Sequence, residues 1–124
     1  MLLINLYTIE ATVLSDAKDK VTANVSLNKE HPIFDGHFPG NPILPGVCTV
    51  QIIRELLEKA LEVKLMLTRA GSIKYQGFIN PIITAQIQFH LIIKNTGIRD
   101  LSCNATVSSS GIPLCSFKGE YVLV

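Results

Sequence analysis

One run of helical periodicity interrupts a chain that is otherwise patterned for β-strands. From Val47 to about Leu65, apolar residues recur at Val50, Ile53, Leu57, Ala60 and Leu61, with Glu58, Lys59 and Glu62 on another face. On the N-terminal side, Ile4 to Leu14 is rich in β-branched and aromatic residues. Val21, Ala23, Val25 and Leu27 then alternate with Thr22, Asn24, Ser26 and Asn28. After Arg69 four more strand-like segments follow, "GSIKYQGFI", "TAQIQFHLIIK", "DLSCNATVSS" and "PLCSFKGEYVLV". The turn signals "NP", "NTGIRD" and "SSSGIP" separate them. The order is β-β-α-β-β-β-β. It points to an α+β fold in which one long helix packs on an antiparallel sheet.

At 124 residues the chain is expected to be one domain, residues 1–124, with roughly two-thirds of its unfolded surface buried. Hydrophobic residues make up 48% and charged residues 17%, an apolar balance that predicts an oligomer covering part of the surface. A net charge of +1 gives no reason to expect nucleic acid or an acidic membrane as partner. Cys48, Cys103 and Cys115 lack metal-ligand spacing and form no disulfide framework, which points to reduced thiols and a cytoplasmic setting. "MLLINLYTIEATV" reads as a strand and not as a signal peptide, and no apolar run is long enough to span a membrane.

The chemistry concentrates between the second strand and the helix, in "HPIFDGHFPGNPILPGV". Four prolines and three glycines fall between His31 and Gly46. Proline fixes its own φ and extends the residue before it, so this loop should be stiff. His37, flanked by Gly36 and Phe38, is a candidate base, because burial beside apolar neighbours favours the neutral ring; the plainer reading is a structural histidine bonded to backbone. The helix start follows Pro45-Gly46 with no Ser, Thr, Asp or Asn cap. Its first free N–H groups, at Gly46 and Val47, are therefore a candidate site for a carbonyl oxygen that gains negative charge. A base beside an oxyanion site suggests proton abstraction α to a carbonyl.

The run His37, Phe38, Pro39, Gly40, Pro42, Ile43, Leu44, Pro45, Gly46, Val47 resembles the signature of the β-hydroxyacyl-(acyl carrier protein) dehydratases of the hotdog superfamily. "IKYQGFINPI" resembles that family's next strand and its turn proline. The resemblance implies a hotdog fold, a helix wrapped by an antiparallel sheet, and a dimer or an oligomer of dimers with acyl tunnels between subunits. It implies that His37 takes the α-proton of a 3-hydroxyacyl thioester while the Gly46 N–H holds the thioester oxygen, with Phe38, Pro45 and Val47 lining the site. The substrate arrives on the phosphopantetheine of an acyl carrier protein or of coenzyme A, so no metal or bound redox cofactor is implied.

The resemblance breaks at one position. The family carries Glu or Asp fourteen residues after the histidine, where this chain has Gln51, and commonly Gln four residues later, where it has Glu55. An amide forms hydrogen bonds but delivers no proton at a useful pKa. Three readings follow. Glu55, on the same helix face, could replace the acid, although one helical turn displaces it by about 5.4 Å. The chain could be a weak or inactive dehydratase that binds acyl thioesters and pairs with an active relative. Gln51 could instead orient a water for thioester hydrolysis. The plainer reading of Glu55 is a solvated charge beside Arg54, whereas Gln51, in the apolar half of the helix, needs a partner.

Other residues carry weaker signals. Cys48, in the first helical turn, is either a small packing residue or a thiol activated by the helix dipole. His31 reads as structural, and alternation leaves His90 open. Lys29, Arg54, Lys64, Arg69 and Lys74 could meet an acidic carrier protein, or could simply be solvated.

Overall fold

Alternation of apolar and polar side chains is the main determinant of the architecture. The computed structural model describes residues 4–35 and 42–124. Strands β1 (Tyr7–Leu14) and β2 (Lys20–Leu27) precede a 3₁₀ turn at Pro32–Phe34 and helix α1 (Gly46–Leu61). Strands β3 (Leu65–Tyr75), β4 (Gln86–Asn95), β5 (Asp100–Ser109) and β6 (Ile112–Leu123) follow. The strands form one antiparallel sheet in the order β1-β2-β4-β5-β6-β3. The chain leaves β2, runs through α1 to the far edge at β3, and returns to place β4 beside β2. This is the α+β hotdog arrangement that the sequence implied.

The core lies between α1 and one face of the sheet. Val21, Ala23 and Val25 of β2, Ile87, Phe89 and Leu91 of β4, and Leu101, Cys103, Ala105 and Val107 of β5 point inward. The helix meets them with Cys48, Ile52, Ile53, Leu56 and Leu57. Among the described residues no helix is long and apolar enough to cross a membrane.

Several expected boundaries shift. The helix was expected to reach about Leu65 but ends at Leu61. Glu62 takes the left-handed conformation (φ 56°), and the Glu58 carboxylate accepts the Leu65 N–H at 2.8 Å, which clamps the turn into β3. Consequently β3 starts at Leu65 and not after Arg69, and it stops at Tyr75, short of "QGFI". The first strand begins at Tyr7, because Asn5 is also left-handed (φ 63°) and breaks the extension from Ile4. The β5–β6 turn is made by Ser110 (φ 50°) and Gly111 (φ 79°), the pair of positive φ angles that a tight hairpin twist requires.

The first half of the helix, although apolar on most sides in the sequence, is buried on only one face. Val47 is 64% exposed while Cys48 is fully buried. Successive helical residues are turned by about 100°, so only the face of Cys48, Thr49, Ile52 and Ile53 reaches the sheet. Edge strand β3 likewise leaves Met66, Ile73 and Tyr75 substantially exposed.

Candidate active site at the start of the helix

Proline sets the helix start. Pro45 precedes Gly46 in an extended conformation (φ −59°, ψ 139°) and supplies no capping side chain. The Cys48 N–H closes on the Pro45 carbonyl at 2.9 Å, so Gly46 and Val47 stand ahead of the first closed turn. The uncapped start expected from sequence is therefore present. His37 and Phe38 lie outside the described residues.

A largely apolar cavity of about 230 Å³ opens beside this end of the helix. Ile43, Pro45, Gly46, Thr49, Tyr75 and Phe78 are among the residues that line it. The Tyr75 ring lies directly over Gly46: a Cβ built at position 46 would stand 2.8 Å from Tyr75 Cε1. Gly46 has no positive φ, so the glycine is required by this close approach and not by backbone strain. Tyr75 was not singled out in the sequence. Its signal, an aromatic residue in "IKYQGF", does not reveal which helix residue it covers.

Gln51 and Glu55 meet, and a third residue joins them. Gln51 Nε2 donates to Glu55 Oε2 at 2.9 Å, and the Tyr7 hydroxyl donates to Glu55 Oε1 at 2.6 Å. All three side chains are half-buried. Glu55 is thus no solvated charge, and Gln51 has the partner that its apolar surroundings demand. Tyr7 ionises well above its ordinary range, first because of burial and then because of the carboxylate that its hydroxyl bonds. It stays a donor throughout the physiological range. The pairing of Gln51 with Glu55 was readable from their spacing, whereas Tyr7, 48 residues from Glu55, was not.

Within one chain the two halves of the candidate site face different ways. Gly46 and Thr49 line the cavity under Tyr75. Val47, Val50, Gln51 and Arg54 line a second cavity of about 170 Å³ with Leu67 and Tyr121. The spacing 47, 50, 51, 54 describes one helix face, and 46, 49 its neighbour.

The remaining candidates resolve simply. Cys48 is fully buried in the core, which supports the packing reading, and burial pushes its thiol above its ordinary pKa. His31 Nδ1 accepts the Ile33 N–H at 3.0 Å, which leaves the proton on Nε2 to donate to the Ile4 carbonyl at 3.0 Å. That is a structural histidine. His90 is exposed on β4. Among the described residues no cluster of three or more His, Cys, Asp or Glu side chains could hold a metal ion.

A sequence model of the ApeI-like family, described as ApeI dehydratase, matches residues 13–111. The chain belongs to this family. The 3-hydroxyacyl-[acyl-carrier-protein] dehydratase FabZ of Lactiplantibacillus plantarum is 28% identical over 94 residues, 70% of this ApeI-like chain and 63% of that protein. This chain therefore spans a little under two-thirds of that relative's length. Among solved structures, a chain of the dehydratase heterocomplex ApeI:P from Xenorhabdus doucetiae superposes with a TM-score of 0.73 at 16% identity, over 93% of this chain and 96% of that one. A hypothetical thioesterase with coenzyme A from Streptococcus pneumoniae superposes at 0.65 and 13% identity, covering 95% and 85%. At these identities the structural likeness extends to the fold alone, shared by dehydratases and thioesterases.

Proposed function

We propose that the chain binds 3-hydroxyacyl thioesters carried on a phosphopantetheine arm and acts as a hotdog dehydratase whose elimination step is slow. The observation that carries this reading is the uncapped N–H pair of Gly46 and Val47 beside an apolar cavity, in a dehydratase-family chain. In this reading the Gly46 N–H holds the thioester oxygen as it takes on negative charge. His37 removes the α-proton, and the C3–O bond breaks to give the 2-enoyl thioester and a hydroxide that becomes water by taking a proton from the His37 imidazolium, directly or through solvent. The departing hydroxyl needs a proton. Gln51 cannot supply one, and both oxygens of Glu55, the nearest carboxylate on that helix face, are already engaged.

That engagement favours a second reading, in which the chain is the acyl-binding partner of an acid-bearing relative. Two features suit a two-chain assembly. Edge strand β3 exposes Met66, Ile73 and Tyr75, and the Gly46 and Gln51 faces do not converge within one chain.

The test is hydration of crotonyl and longer 2-enoyl thioesters by the purified chain, beside its Gln51→Glu, Glu55→Gln and His37→Ala variants. Slow hydration, abolished by His37→Ala and accelerated by Gln51→Glu, supports the dehydratase. No hydration in the wild type, with activity gained in Gln51→Glu, supports the partner subunit. Thiol release without hydration would replace both readings with a thioesterase. Hydration that survives His37→Ala would overturn the assignment of the base.

A further inference from the structure

The Tyr7–Glu55–Gln51 chain determines which end of the Gln51 amide is left for a ligand. A carboxylate only accepts hydrogen bonds. Glu55 Oε1 is taken by the Tyr7 hydroxyl and Oε2 by Gln51 Nε2. A flipped amide would set the Gln51 carbonyl against Oε2 at hydrogen-bond distance, two acceptors with no hydrogen between them. That arrangement loses a charge-assisted bond and leaves repelling oxygens in a half-buried place. The Tyr7 hydroxyl bears on this as well. By fixing Oε1 it stops the carboxylate from turning about its own axis, so Oε2 keeps facing Gln51. The amide end turned away from Glu55 is therefore the carbonyl oxygen, which accepts no bond from any described residue. Gln51 lines the second cavity with Val47, Val50 and Leu67, and with Arg54 and Tyr121, whose buried Nε and hydroxyl have no hydrogen-bond partner among the described residues.

We infer that Tyr7 and Glu55 are positioning residues that lock Gln51 as a hydrogen-bond acceptor, so that the site selects acyl chains carrying a hydrogen-bond donor at C3. The inference rests on the acyl-thioester reading above, with the Gln51 face of one subunit meeting the Gly46 cavity of another, since the two faces do not converge within one chain. A 3-hydroxyl group has the O–H that a carbonyl acceptor requires. Saturated and 2-enoyl chains have no such group, and a 3-oxo chain brings a second acceptor. A free amide could rotate to suit either a hydroxyl or a ketone. An amide held by Glu55 keeps its carbonyl oxygen toward the ligand, with only its second Nε2 hydrogen left to donate, and a preference for the hydroxyl that depends on Glu55 is the signature of the lock. In this arrangement Gln51 grips the hydroxyl without protonating it, which joins selective binding to slow elimination at one residue.

The experiment measures calorimetric affinities of the full-length chain for amide-linked pantetheine analogues, in which an amide replaces the thioester to suppress turnover. The analogues are saturated, 2-enoyl, 3-hydroxy and 3-oxo chains of equal length. In the wild type the 3-hydroxy analogue is expected to bind about tenfold more tightly than the saturated one, the factor for one hydrogen bond. The 3-oxo analogue, which can only accept, is expected to bind less tightly than the 3-hydroxy one. Glu55→Gln offers both a donor and an acceptor at position 55 and frees the amide to flip. It is expected to bring the 3-hydroxy and 3-oxo analogues to within about threefold of each other. Tyr7→Phe is expected to narrow the same ratio, and Gln51→Met to abolish the 3-hydroxyl preference. Circular dichroism checks that each variant is folded, and Glu55→Gln, which keeps the side-chain shape, carries the test if Tyr7→Phe does not fold. Equal affinity for the 3-hydroxy and saturated analogues would overturn the lock while leaving acyl binding intact. A preference unchanged in Glu55→Gln would overturn it too. Failure to bind any analogue, the saturated one included, would overturn the acyl-thioester reading and this inference with it.

Discussion

Replacing Gly46 with alanine tests the contact on which the candidate oxyanion site depends. The backbone at this position suits any L-residue, so alanine by itself should improve the helix by up to about 1 kcal/mol. The Tyr75 ring opposes that gain. The new Cβ would stand 2.8 Å from Tyr75 Cε1, well inside contact distance, and the ring must swing aside. Tyr75 is 53% exposed, so it has room to move outward. An aromatic side chain covers about 150–250 Å² when fully buried, so the half in contact here amounts to about 100 Å², or about 2.5 kcal/mol at 25 cal/mol/Å². Losing most of that cover against a gain of up to about 1 kcal/mol leaves Gly46→Ala destabilised by about 1 kcal/mol, or roughly 3–5 °C in melting temperature. In a Tyr75→Ala background the same substitution should be neutral or stabilising. The double-mutant cycle, measured by urea unfolding, is expected to show a coupling of about 1–2 kcal/mol between the two positions. Affinity for acyl pantetheine analogues should fall as well, because the ring and the cavity mouth move together. If Gly46→Ala raised the melting temperature equally in both backgrounds, the positions would be independent. The case for Gly46 as a glycine required by Tyr75 would then collapse.

Stability should fall in alkali. Burial pushes the Cys103 thiol from an ordinary 9.0 up to about 12. The unfolded thiol ionises first, so this contribution is complete below pH 9.0 and is lost as pH rises toward about 12, with a limiting slope of about 1.4 kcal/mol per pH unit. Tyr7 and Tyr121, also raised by burial, add to the loss above pH 10.0. Guanidinium melts between pH 8 and 11 should show it, Cys103→Ala should flatten the lower part of the slope, and a flat profile would contradict the burial of these groups. Phe89, fully buried in β4, should cost about 3–5 kcal/mol on replacement by alanine, and a loss below about 1 kcal/mol in chemical unfolding would mean that it is not central to the core. Glu58→Ala removes the carboxylate that accepts the Leu65 N–H, and should cost about 1–2 kcal/mol with faster amide exchange at Leu65. Unchanged exchange there would show that the turn into β3 holds without it.

The fold was legible because its determinants are local. Val21, Ala23, Val25 and Ile87, Phe89, Leu91 announce half-buried strands by alternation, and both sets face the core. The turn into β3 was not legible, because "VKLMLTRA" has no glycine or proline stop and its apolar spacing continues the helical pattern. A left-handed Glu62 and the Glu58 carboxylate make that turn, and neither has a reliable signature. The same division applies to the candidate site. Gln51 and Glu55 lie one turn apart on a helix, so their contact follows from spacing. Tyr7 and Tyr75 reach the helix from opposite edges of the sheet, and only the strand order β1-β2-β4-β5-β6-β3 brings them there.

These two tyrosines change how the departure from the family pattern is understood. On sequence alone, moving the acid from position 51 to 55 looks like a displaced proton donor, one turn too far away to act. In the folded chain Glu55 is held at both oxygens, and a carboxylate so held is better suited to fixing a neighbour than to exchanging protons with a ligand. Its neighbour is the residue at the acid position. A glutamate at position 51 would face a carboxylate at position 55 across the 2.9 Å that the amide now bridges, so reversing only one member of the pair creates a like-charge contact. That repulsion would raise the pKa of the pair and keep one proton shared between them near neutral pH. For this physical reason Gln51→Glu could acquire the donor that the wild-type site lacks. The double exchange, Gln51→Glu with Glu55→Gln, would instead restore an ionisable group at position 51 with an amide beside it, and Tyr7 would lose its carboxylate acceptor. Gln51, Glu55 and Tyr7 therefore have to be considered as one unit, in which the charge at position 55 decides what position 51 can offer a substrate.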